Sequence, residues 1–341
     1  MELLRRLCST PGVSGREERV RDLIIKEMTP LVDKLEVDTL GNIIGFKRGT
    51  LRKKVMLSAH MDKIGFIVNY IEEEGFIRFL PVGGFDPRIL LAQRVVIHGQ
   101  EDVIGIIGSK PVHLLTEEEK KKEIRMEELF IDVGLPLERV KVLVRIGDPI
   151  TIERELKEVG DTVSGKGLHD RLGVYVMLEA LQRLKENKVD VYPVATVQEE
   201  VGLRGAGVST YGIEPDIGIA IDITVASDLP QIEKHRQVTQ LGKGVAITVM
   251  DSYTISHPLL VDFLRKIAEE EGIPHQMEVM PRGGTDAGGM QRTKTGIPVA
   301  TISVPLRYAH SSVEMAHRND IDNSIRLLTS FMERAHQAEL K

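Results

Sequence analysis

Val55-Met-Leu-Ser-Ala59, followed at once by His60-Met-Asp62, is the stretch that decides the fold. A short apolar run ending in polar residues reads as a buried strand with its chemistry at the carboxyl end, where open α/β sheets carry their ligands. The pattern recurs along the chain. Val191–Gln198 ends in Glu199-Glu200, Ile217–Ile221 ends in Asp222, and Val299–Val304 leads within a few residues to His310. Helical spacing separates these runs. Ser14-Gly-Arg-Glu17 has capping-box spacing ahead of Val20, Leu23, Ile24 and Met28. Further helices are expected over Arg171–Glu186, after Ser256 as a cap with Pro258 in the first turn, and over Asp320–Arg334.

From about 67 to 163 the texture changes to short β segments with tight turns, such as Glu72-Glu-Glu-Gly75 and Gly99-Gln-Glu-Asp102. Only Thr116–Glu128 reads as helical there, and it is heavily charged. The expected organisation is an α/β domain formed by 1–66 and 164–341, interrupted by a small β domain over 67–163.

Composition narrows the function classes. The 341 residues suit two domains, and 42% apolar content is enough to bury a core, which excludes disorder as the main state. The balance of 45 basic against 51 acidic residues gives a net charge of −6. With no basic block longer than Arg52-Lys53-Lys54, nucleic acid is not expected as a partner. A single cysteine, Cys8, excludes a disulfide framework and a thiolate zinc cage, and reads as a small buried apolar residue. There is no apolar run of about 18 residues and no secretion signal, so the expectation is a cytoplasmic protein with no membrane partner.

His60, Glu199, Glu200, Asp222 and His310 can converge from their separate strands, and imidazole with carboxylate is the ligand set of hydrolytic zinc or cobalt sites. Taken singly, each has an ordinary reading: a structural histidine, a solvated acidic pair, a turn cap. In a regular strand Glu199 and Glu200 would point to opposite faces, so both reach one site only through a twist or bulge. His98, His113, His275, His317 and His336 read as surface or turn residues.

His60-Met-Asp62, Gln198-Glu-Glu-Val-Gly202, Ile221-Asp-Ile-Thr224 and Tyr308-Ala-His310-Ser-Ser with Glu314 resemble the metal-ligand motifs of the M42 metallo-aminopeptidases, the TET or glutamyl/deblocking-aminopeptidase group. The likeness extends to Pro11-Gly-Val-Ser-Gly15, Pro81-Val-Gly-Gly84, Ser164-Gly-Lys166 and Gly283-Gly-Thr-Asp286, nearly the whole chain. It implies a three-layer α/β catalytic domain around a mixed sheet, of zinc-peptidase type. An inserted, barrel-like β domain would mediate dimerisation, with dimers assembling into a dodecamer. By the same resemblance Glu200 and His310 would bind one metal and His60 and Asp222 another. Glu199 would be the general base, and Asp62 would orient His60. Gly284, Thr285 and Asp286 would line the substrate site.

One position departs from the family. Where its motif has a bridging aspartate before Asp-Arg, this chain has Lys166-Gly-Leu-His169-Asp170-Arg171. A carboxylate can give one oxygen to each of two metals, whereas a neutral imidazole has one lone pair. Three arrangements are open. His169 ligates one metal in an imidazole-rich site suited to zinc, cobalt or nickel; Asp170 moves in as the bridge; or the site holds one metal or none.

The resulting expectation is an aminopeptidase acting on short peptides, with one or two divalent metals per subunit and a homo-oligomeric assembly. A deacylase or dipeptidase on the same framework, and a weakly active structural subunit of a hetero-oligomer, are the alternatives. Endoglucanase activity is disfavoured, because adjacent Glu199 and Glu200 are not two carboxylates about 5–9.5 Å apart across a glycosidic bond.

Overall fold

A computed structural model describes residues 1–340. One large mixed sheet forms the body, in the order β1 (Lys34–Val37), β2 (Ile43–Phe46), β12 (Asp190–Thr196), β3 (Lys54–His60), β13 (Ile217–Val225), β16 (Val299–Arg307), β17 (Glu314–His317), β11 (Thr162–Gly165) and β10 (Lys157–Val159). β14 (Val245–Met250) pairs with β16, and β15 (His275–Val279) with β14. The four central strands, β12, β3, β13 and β16, run parallel. The chain enters on β3, places β12 on one side and crosses to place β13 on the other. Their carboxyl ends therefore open a crevice at a topological switch point.

Period-two alternation gives these strands two faces. Val55, Leu57 and Ala59 of β3, Ile217, Ile219 and Ile221 of β13, and Ala300, Ile302 and Val304 of β16 share one buried apolar cluster. That side is covered by α4 (Leu168–Arg183), α6 (Pro258–Glu270) and α8 (Arg318–Arg334), with α1 (Glu2–Ser9) packed on α4 and α2 (Glu18–Met28) contributing Val20, Ile24 and Met28 to the same cluster. The opposite side is covered by α5 (Arg204–Ile213) and α7 (Asp286–Gln291), over a smaller cluster built on Met56, Val194, Ala220 and Val299. The result is three layers.

Six strands, β4 (Gly65–Ile71), β5 (Ile77–Val82), β8 (Phe130–Asp132), β7 (Asp102–Gly108), β6 (Arg94–His98) and β9 (Pro149–Ile152), close into a separate barrel in that order. Phe66, Phe79, Val95, Ile97, Ile107 and Ile131 fill it. No helix of the described residues is long and apolar enough to cross a membrane.

Several local expectations are corrected. Thr116–Glu128 is not an α-helix: it contains two short 3-10 turns, Glu119–Lys121 and Met126–Glu128, and its charged residues offer no apolar stripe to bury. The helix of this region is α3 (Leu137–Leu143), which buries Val140 and Leu143. Ser256 does not cap α6: His257 holds the N-cap position, while the Ser256 hydroxyl donates to Thr248 O at 2.6 Å. β13 does not stop before Asp222 but runs three residues past it. His98 is not a surface residue: its side chain is 7% exposed, lying between Asp102 Oδ1 at 2.8 Å and Thr151 Oγ1 at 3.0 Å. Helix α5 escaped the sequence reading because glycines interrupt it. Gly205 is required by space, since a Cβ there would lie 2.3 Å from Asn42 Oδ1 and 2.5 Å from Val197 O.

Candidate metal centre

On the α5/α7 side each central strand changes character along its length. Met56 gives way to Ser58 and His60, Val194 to Thr196, Ala220 to Asp222 and Thr224, and Val299 to Thr301 and Ser303; the polar residues of this series are all buried. In register, Thr196 lies beside His60 and Asp222 beside Ser303. The crevice is therefore floored by polar groups that the fold has removed from water.

His60 ends β3. Its Nδ1 lies 3.1 Å from Asp62 O and 3.4 Å from Asp62 Oδ1, so Nε2 faces the crevice, where it has no hydrogen-bond partner. Asp62, fully buried, accepts the Glu199 N–H at Oδ1 (3.0 Å), and the Glu200 N–H (3.2 Å) and Ser14 hydroxyl (2.6 Å) at Oδ2. Burial alone would raise the Asp62 pKa, but the hydrogen bonds from His60, Ser14 and Glu199 outweigh it and hold the carboxyl below its ordinary value. Glu17 Oε1 accepts the Gln198 N–H at 3.2 Å and the Gly15 N–H at 2.7 Å. Three successive amides, 198 to 200, are thus gripped by two buried carboxylates. β12 has already ended at Thr196, and Gln198 adopts φ +56°, so the acidic pair sits in a turn rather than a strand. Glu199 and Glu200 consequently both line the same cleft.

Ser14 and Glu17 do not form the capping box their spacing suggests, because α2 starts at Glu18 without a side-chain cap. They brace the acidic turn instead. Sequence spacing carries no signal that separates the two uses.

His169 occupies the centre. It lies in the first turn of α4 with non-helical dihedrals, φ −82° and ψ 112°. Its Nε2 is 3.3 Å from Asp222 Oδ1; its Nδ1 is 3.5 Å from Glu200 Oε1 and 2.9 Å from His310 Nε2. The ring stands edge-on to His60 and nearly parallel to His310, with 4.9 Å between centroids in each case. Glu314 fixes this part of the site from behind, accepting the His310 N–H at 2.9 Å and the His169 N–H at 3.2 Å. The donor atoms form two overlapping groups, His60/His169/Asp222 and His169/Glu200/His310, each spanning less than 4.8 Å.

These residues fit a divalent metal. His60 Nε2 and Glu200 Oε1 are buried without partners, and three imidazoles with two carboxylates are a borderline-soft donor set. The electrostatics agree. Burial, opposed by His60 but reinforced by Asp222, Glu200 and Asp286, pushes Glu199 well above the carboxylate range, and burial likewise raises Glu200. Burial lowers His310 to about 3, assisted by the neighbouring His169 and His60. Such crowding of acidic groups is relieved by a cation.

Asp170 does not join either group. Its Oδ1 accepts the Gly173 N–H at 3.0 Å, folding the side chain back over the first turn of α4. Only Gly173 leaves room for this, since a Cβ there would come within 2.3 Å of Asp170 Oδ2. Of Gly284, Thr285 and Asp286, only Gly284 lines the cleft. Thr285 and Asp286 are buried beneath it, Asp286 accepting hydroxyl protons from Ser58 and Thr196. Asp286 thereby ties the ends of β3 and β12 together, a role its glycine-rich context does not advertise. The cleft encloses about 510 Å³, and Leu203, Ile223, Tyr253 and Met280 give it an apolar wall with Arg282 and Arg292 also bordering it.

The family model of the M42 glutamyl aminopeptidases matches residues 41–327. The lysyl aminopeptidase of Pyrococcus furiosus is 38% identical over 97% of this chain and 96% of its own length. Among solved structures, aminopeptidase APDkam598 from the archaeon Desulfurococcus kamchatkensis is 44% identical with a TM-score of 0.94, covering 98% of this chain and 94% of that one. The TET1 peptidase of Pyrococcus horikoshii, described as assembling into a tetrahedron or a large octahedral shell, is 35% identical with a TM-score of 0.87, covering 97% of this chain and 98% of that one.

Proposed function

Since the chain belongs to the M42 glutamyl aminopeptidase family of exopeptidases, we propose that it removes the N-terminal residue of short peptides at a metal centre shared through His169. The observation that carries this reading is the pair of overlapping donor groups with Glu199 beside them, its Oε2 3.8 Å from His60 Nε2. Zinc, cobalt or nickel suits the imidazole-rich set better than magnesium or calcium, which prefer oxygen donors. When bound, such an ion supplies Lewis acidity that polarises the scissile carbonyl and makes water a stronger acid.

The chain's own residues do the remaining work. Glu199 Oε2 accepts a proton from the attacking water and returns it to the departing amine. Asp62 and Glu17 hold the turn that aims Glu199, and Asp62 fixes the His60 ring. The carboxylates on the crevice floor favour a peptide's free α-ammonium, which selects amino termini over internal bonds. His169 presents one nitrogen to each half of the site, and a neutral imidazole can give its lone pair to only one. One metal is therefore held tightly and a second weakly. Tyr70, Leu80, Ile104 and Ile106 of the barrel are each about half exposed, which supports a subunit contact there, with dimers assembling into a dodecamer.

The test is turnover of a panel of aminoacyl p-nitroanilides by metal-stripped and metal-restored protein, beside their N-acetylated analogues. Hydrolysis of the free-amine substrates only, and only after zinc, cobalt or nickel is restored, is expected. Equal release of p-nitroaniline from the acetylated compounds would show that no free amino terminus is needed, and release of acetate from them would make the protein a deacylase; either result overturns the reading.

A further inference from the structure

Behind the metal centre, where the barrel meets the body, three cations are gathered without a direct ion pair, although Glu314 lies near Lys63 and Glu153 near Lys166. Arg171 is fully buried and Lys63 only 3% exposed. Arg171 donates to the carbonyls of Leu7 (2.7 Å), Thr10 (3.1 Å) and Gly12 (3.4 Å), and Lys63 Nζ to those of Cys8 (3.2 Å) and Thr10 (3.4 Å). These contacts cap the carboxyl end of α1, whose dipole offers only a partial negative charge. Lys166 Nζ donates to Ile152 O of β9 at 2.5 Å, its one polar partner among the described residues. All the hydrogen-bond acceptors given to these groups are thus neutral, whereas buried charges are ordinarily paired with opposite charge.

Lys63 and Lys166 also line a cavity of about 30 Å³ that lies against His169. Ser311 lines it too; its oxygen accepts the Val313 N–H at 3.2 Å, leaving its own proton free to be donated inward. The carboxylate on the wall, Glu314, is already engaged by the His169 and His310 amides. An ammonium carries three donors, so after these carbonyl bonds Lys63 has one proton left and Lys166 two. The space suits a single atom-sized occupant and is too small for phosphate or a peptide carboxylate.

We propose that this cavity is a binding site for one small monovalent anion, a halide by size, held by the ammonium groups of Lys63 and Lys166 and the Ser311 hydroxyl. The ion would give the two ammonium groups a directly bonded negative partner, which Glu314, held by two backbone amides, does not. Consistent with that need, burial and the repulsion of Lys166 and Arg171 lower Lys63 well below its usual pKa, and burial with Arg171 brings Lys166 down to about 8. The cavity shares a wall, His169 and Glu314, with the metal centre, but none of the three groups proposed to hold the anion is a metal ligand.

The experiment uses metal-loaded protein throughout. Crystals soaked in bromide are expected to show an anomalous peak in the cavity, within about 3.5 Å of both Nζ atoms. In solution, bromide should raise Tm by about 2 °C or more over gluconate at equal ionic strength, and Lys166→Met should abolish that difference. Absence of the peak overturns the proposal, leaving water between neutral lysines. A peak together with an undiminished bromide response in Lys166→Met also overturns it, and identifies an adventitious ion only. Should Lys166→Met fail to fold, Ser311→Ala removes one neutral donor and is expected to weaken bromide affinity several-fold; unchanged affinity would again contradict the assignment.

Discussion

The two faces of the same four parallel strands obey different rules. On the side covered by α4, α6 and α8 the inward residues are apolar along the whole strand, from Val55 to Ala59 and from Ile217 to Ile221. On the side covered by α5 and α7 they are apolar only near the amino ends; past Met56 and Ala220 come Ser58, His60, Asp222 and Thr224, all buried. One face stabilises by area removed from water. The other gives up part of that area to hold polar groups in a fixed, dry arrangement, and each of those groups must be satisfied by a neighbour or by a bound ion. Stability and chemistry are thereby separated across a single layer of backbone. A substitution on one face should leave the other's property intact.

The largest expected effect lies on the polar face. Glu199→Gln removes the proton acceptor with little change in shape, and should lower kcat by about 10²-fold or more while Tm, metal content and subunit assembly stay as they are. Steady-state kinetics with elemental analysis checks it. The mirror change is Ile219→Ala on the apolar face, where Ile219 is fully buried. It should cost about 2–5 kcal/mol of stability in chemical denaturation and leave kcat nearly unchanged at temperatures where the protein is folded. If Ile219→Ala abolished metal binding in folded protein, the separation of the faces would fail.

The smallest effect sharpens the comparison by pH. Glu278 is buried at the edge of the polar face, accepting hydroxyl protons from Thr224 and, at 2.6 Å, from Thr248. Burial raises its pKa to about 7, outweighing those hydroxyls. A carboxyl whose folded pKa exceeds its unfolded value favours the folded state below about pH 4.5, and that contribution is lost as pH rises through about 7. Glu278→Gln removes this titration. The variant should therefore gain about 1 kcal/mol or more relative to the parent between pH 5 and 8, measured by denaturant titration across that range. An offset independent of pH would mean the carboxylate is ionised throughout.

The apolar face was the legible one. Its alternation and the polar residues at the strand ends pointed to the α/β architecture and to His60, Glu199, Glu200, Asp222 and His310, because both signals are local. What escaped was non-local. Ser14 and Glu17 carry capping-box spacing, yet tertiary contacts with Asp62 and with the amide of Gln198 decide their use. The family resemblance implied that Asp286 lines the substrate site, and only the packing of α7 shows that it lies beneath the floor. In the barrel, Thr116–Glu128 shows that charged residues with good helix propensity do not make a helix when no apolar stripe is there to dock.

The central claim is that the polar face is a metal centre whose halves share His169. Calorimetric titration of zinc into metal-stripped protein tests it most directly, with His169→Asp and His169→Ala alongside. One tight zinc per subunit is expected in the parent, with a second at least about tenfold weaker. Two tight sites are expected in His169→Asp, where a carboxylate can serve both ions, and loss of tight binding in His169→Ala. Two equally tight sites in the parent, unchanged in His169→Ala, would contradict it.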